Sequence, residues 1–218
     1  AAALQADGYA VLTFDFRGFG DSKEVDPDLF WRMPHNNNMV RRRGGRLPTS
    51  IDHKDFNTRY LPYLMYDIAA AKAYLDRQND QKACNTSSVI LIGAGDGASL
   101  GVMWMAKECR RRKDKNPPNP LGIQQVPMLA EPESKDLAAG IWLTISPRLG
   151  TLPVGGTLGR LAVEVGRENK IPLAFIFGKS DGAGDTFSRN LFKAVNPRGA
   201  KDNAFKFTGI KDIPDTKL

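Results

Sequence analysis

Histidine and cysteine are the scarcest reactive residues in this 218-residue chain, two of each: His35, His53, Cys84 and Cys109. Two cysteines cannot build a disulfide framework, and they are too few for a zinc site of their own. The one local group with metal-ligand chemistry, Asp52-His53-Asp55, matches no zinc spacing, so no metal and no cofactor is expected. Nor does any apolar stretch approach the ~18 residues that a membrane-spanning helix needs. Internal repeats are lacking. An initiator methionine is also missing, and the opening AAALQADG reads as the inside of a helix, so a chain trimmed at its front is expected. Compartment and oligomeric state leave no mark in the sequence.

What is present is ordinary globular material, 41% hydrophobic and 25% charged. With roughly 150 residues as the usual domain size, one domain over 1–218 is the simplest expectation. Two irregular stretches interrupt it, 23–60 and the proline-rich 114–135.

The net charge of +7 is uneven. Residues 1–30 carry two basic and six acidic side chains, whereas 31–59 carry seven basic and two acidic, among them Arg41, Arg42, Arg43 and Arg46. Residues 107–115 add six basic and two acidic. Clustered cations suit phosphates and nucleic acids. No aromatic residue interleaves either cluster and no nucleic-acid motif accompanies them, so nucleic acid is not the expected partner. The cluster at 107–115 reads as a helix C-terminus, where cations complement the macrodipole. Arg41, Arg42 and Arg43 are left as candidates for binding a small-molecule or anionic ligand.

Apolar runs alternate with helical patterns. YAVLTFDF (9–16), SSVILIG (87–93), AAGIWLTIS (138–146), PLAFIFG (172–178) and NAFKFTGI (203–210) read as buried strands. From Leu61 the stripe Leu64, Ile68, Ala71 and Leu75 predicts a helix. Further helices are expected after Gly95, near 157–168, and over 185–195 with Asp185 as N-cap. Continuous apolar strands alternating with helices predict an α/β fold with a mainly parallel sheet.

The stretch Ile92-Gly93-Ala94-Gly95-Asp96-Gly97-Ala98 is the most informative, and it supports two readings. Gly93-x-Gly95-x-x-Ala98 fits a dinucleotide fingerprint, in which glycines let backbone amides approach a pyrophosphate. That fingerprint also wants a second strand and an acidic residue about twenty positions on. The basic, proline-rich RRRKDKNPPNP stands there instead.

The second reading takes in nearly the whole chain. GYAVLTFDFRGFGDS, then a helix, then VILIGAGDGASLG, then PLAFIFGKSDG resembles the α/β-hydrolase family. Asp15, Arg17, Gly18, Gly20 and Ser22 match its D-x-R-G-x-G-x-S turn. Gly93-Ala94-Gly95-Asp96-Gly97 aligns with its G-x-S-x-G nucleophile elbow, and Gly178 with Asp181 matches the G-x-x-D that carries the triad acid. The resemblance implies an α/β-hydrolase-like sheet with helices on both faces. It also implies an oxyanion donor at the Asp96 amide, with a second donor upstream of Ala1.

The chemistry of that family is incomplete here. Gly95 stands at the nucleophile position and has no reactive oxygen. Both histidines precede the elbow, and Lys211 stands near the position where the triad histidine is expected. A lysine that keeps its ordinary pKa is protonated and cannot act as the base. Ser99, inside the literal Gly97-Ala98-Ser99-Leu100-Gly101, is an alternative nucleophile, though it falls one turn into the following helix. The expectation is a relative of the hydrolases that acts by binding or as a structural element. An active acyl hydrolase using Ser99 and a nucleotide-binding module remain the alternatives.

Overall fold

The computed structural model describes residues 1–42, 47–111, 133–146, 149, 157–178, 182–197 and 204–210. They fall into two compact units, a first described over Ala1–Thr86 and a second that begins at Ser87.

Among its described residues the first unit holds four helices: α1 (Ala2–Ala6), α2 (Pro27–Phe30), α3 (Pro34–Met39) and α4 (Met65–Asp80). Two 3-10 turns, His53–Asp55 and Thr58–Leu64, precede α4. Asp26 caps α2 by accepting the amides of Asp28 and Leu29, with Pro27 as its first helical residue, where a missing N–H costs nothing. The stretch 23–60 is thus not a bare loop. It contains short helices and two isolated antiparallel bridges, Glu24 to Ser50 and Val40 to Phe56. Its buried apolar side chains are Phe30, Trp31, Val40, Ile51 and Tyr60, joined by Tyr63, Leu64, Met65 and Ile68. The expected stripe on α4 is buried at Leu64 and Ile68 and only half-buried at Ala71 and Leu75. Lys72 is buried too, its ammonium 2.6 Å from Asp76 one turn on.

Residues 9–16 correct one expectation. They form no strand, and Tyr9, Leu12 and Phe14 are exposed. An apolar, β-branched run states which side chains favour a pleated surface, but a strand also requires a neighbour for its backbone groups. Composition carries no information about that neighbour.

The second unit is a four-stranded sheet: β1 (Val89–Ala94), β2 (Leu137–Leu143), β3 (Leu173–Gly178) and β4 (Phe205–Ile210), in the order β1-β2-β3-β4 and parallel throughout. Parallel neighbours need crossover connections, and helices α5 (Asp96–Arg111), α6 (Leu158–Val163) and α7 (Gly182–Val195) lie between the strands in sequence. A five-residue π-helical turn, Glu164–Glu168, continues α6. The expected α/β class is met. Helix α7 starts three residues before Asp185, which lies in its first turn and pairs with Arg189 at 2.8 Å instead of capping the helix.

Strand register separates two faces. Gly93, Trp142, Phe175 and Phe207 stand side by side across the four strands, as do Ile92, Ile141, Ala174 and Lys206. The first row faces α5 and α7: Trp142 fills the space left by Gly101 on α5, and Phe192 on α7 packs against Phe175 and Phe207. On the second face Ile90 and Ile92 are 40% and 46% exposed. The three described helices of this unit therefore cover one face, where the sequence reading placed helices on both.

Trp142 is fully buried, and a Cβ on Gly101 would come within 2.6 Å of its ring. Beyond it, Arg110 near the end of α5 makes a bidentate pair with the buried Glu164, with Nη2 to Oε2 at 2.7 Å. That geometry is the strong form of a charged hydrogen bond, and it gives one arginine of the 107–115 cluster a structural task. Replacing Trp142 with alanine is expected to lower unfolding free energy by about 3–5 kcal/mol, read as a drop in the urea midpoint at unchanged slope.

Candidate functional site

The C-terminal ends of parallel strands are where α/β proteins bind ligands, and the glycine-rich turn stands there, between β1 and α5. A single residue, Gly95, separates the strand from the helix. Gly95 has φ +53°, in the left-handed region where an L side chain costs about 1–2 kcal/mol. Among the described residues a Cβ on Gly95 would meet nothing within 4 Å, so the turn is open on that side. Gly93 is the opposite case. Its Cβ would fall 2.7 Å from Ala98 Cα and 2.8 Å from Ala98 N, because the helix returns directly across the strand.

Hydrogen bonds hold the turn against the end of β2. The Gly95 amide donates to Leu143 O at 3.0 Å, and the Ser146 amide donates to Gly95 O at 3.1 Å. The Ser99 hydroxyl donates to Ser146 O at 2.8 Å. Ser99 is fully buried, so its oxygen is committed to a carbonyl and shielded from solvent. Asp96 occupies the first turn of α5. Gly95 thus forms the turn, Asp96 opens α5 and Ser99 lies one turn into it.

Two further residues shape this corner, and the sequence did not single them out. Strand β2 stops at Leu143, so the expected strand residues Thr144 and Ser146 lie beyond its end. Thr144 adopts φ +41° while its amide donates to Ile176 O at 2.7 Å. A β-branched residue with positive φ is a genuine outlier, and such strain gathers at functional sites. Threonine is a good strand former, so composition offered no warning.

Asp181, Lys211 and Arg43 lie outside the described residues. Arg41 and Arg42 belong to the first unit and are exposed; the Arg42 guanidinium sits 5.5 Å from the centre of the Trp31 ring. In the same unit the D-x-R-G-x-G-x-S turn is organised by its charges. Asp15 accepts the Asp21 amide, and Arg17 meets Asp67 through its backbone amide at 2.9 Å and its Nε at 2.6 Å. Burial opposes the Arg17 charge, yet the hydrogen bond and charge of Asp67 outweigh it and raise the guanidinium pKa.

Tyr60 is fully buried beside this pair, donating to Asn36 Oδ1 at 2.7 Å. His35 stacks on Tyr63 with ring centres 4.4 Å apart. The Asp52-His53-Asp55 group serves a turn: Asp52 accepts the Lys54 amide and the Lys23 ammonium, and His53 stacks on Phe19. Among the described residues no three metal-ligating side chains converge, and no helix is long and apolar enough to cross a membrane.

Burial, opposed by the nearby Arg17 charge, pushes the Tyr60 phenol up to about 12 from 10.0. Burial and the Arg17 charge together lower His35 below 6.5. A raised phenol pKa stabilises the fold below about 10 and loses that contribution as pH rises towards about 12. A lowered histidine pKa stabilises it above 6.5 and loses that contribution as pH falls. Burial also raises the Tyr63 phenol, so titration at 295 nm is expected to show late-ionising tyrosines, of which the latest disappears in Tyr60→Phe. The acid limb of stability against pH is expected to flatten in His35→Phe.

The two glycines of the turn give a second expectation. Gly95→Ala should cost about 1–2 kcal/mol of backbone strain and nothing more, whereas Gly93→Ala, blocked by backbone, should cost more than that. Equal urea midpoints for the two variants would contradict this geometry. No protein-family model matches the chain, and no curated protein matches it either.

Proposed function

We propose that this chain is an α/β-hydrolase-like protein that has lost serine-hydrolase catalysis and acts by binding a small molecule, or as a structural element. The observation that carries this reading is the open, left-handed Gly95 at the strand-to-helix turn. In the family it resembles, that turn presents the nucleophile on a strained backbone with small neighbours around it. Here the same kind of turn presents a hydrogen atom.

Magnitudes favour lost catalysis over weakened catalysis. Removing the serine or the histidine of such a triad costs about 10⁶ in kcat and leaves ~10³–10⁴ over water. Ser99 does not repair the loss, since its hydroxyl is buried and donates to Ser146 O. The nucleotide alternative is opposed by charge: Asp96 in the first turn of α5 puts a carboxylate where a pyrophosphate would need the positive end of the helix. What the turn offers a ligand, among the described residues, is its open side at Gly95, at the ends of β1 and β2.

The expected result is no fluorophosphonate labelling and no turnover of p-nitrophenyl acetate or butyrate above background. Gly95→Ser alone should not change that, because neither histidine follows the turn in the chain. Labelling of the natural chain that vanishes in Ser99→Ala would overturn the proposal.

A further inference from the structure

We draw no further inference here: the strongest candidate, the apolar face of the four-stranded sheet that bears Ile90, Ile92, Ile141 and Ala174 and is turned away from α5 and α7, carries none, because nothing in the structure shows what covers it.

Discussion

A helix that returns across its own strand leaves no room for a Cβ at the crossing, and the second unit is organised around that restriction. Gly93 lies under the backbone of Ala98, so α5 can sit directly on β1. Close seating places Gly101 over β2, where Trp142 fills the space a side chain would have taken. The reversal itself needs a left-handed residue, and Gly95 supplies it. Because the Gly95 amide and carbonyl are both tied to the chain around the end of β2, the corner is held from two strands. The open side of the turn at Gly95 is the by-product of that geometry, and it lies where α/β sheets bind ligands.

The first unit is held by a different balance. Its first three helices are short, and the rings of Phe56, Tyr60, Tyr63 and His35 pack on one another. Arg17 and Asp67 meet beside that group, fifty residues apart in sequence. A partly buried pair of this kind costs desolvation that its mutual attraction must offset. Two amide and side-chain bonds to one carboxylate are the geometry that does so. The burial that makes the pair worth forming also shifts Tyr60 and His35 in opposite directions, so the interior of this unit responds at both ends of the pH scale.

Much of the second unit was legible in its sequence. Strands β1, β3 and β4 and helix α5 lie where apolar runs and the glycine turn placed them, because buried parallel strands read as unbroken apolar runs. The end of β2 was not legible, since Thr144 is a strand former held in a left-handed conformation by its surroundings. Residues 9–16 failed for the converse reason, having strand composition without strand pairing. At the turn, the absence of a side chain could be read from Gly95 alone. The burial of Ser99 could not, because helical spacing states a depth along the helix and not which face is covered.

By itself, then, the sequence determined the α/β class, the place of the turn and the lack of a reactive side chain at Gly95. These follow from side-chain chemistry and local periodicity. Tertiary structure decided which hydroxyl is engaged, which strand run finds a partner, and which arginine lies over a buried ring. Those depend on contacts between residues distant in the chain, such as Ser99 with Ser146 and Trp31 with Arg42 and Pro48. Local pattern constrains such contacts only weakly, because burial and hydrogen-bond partners belong to the assembled surface.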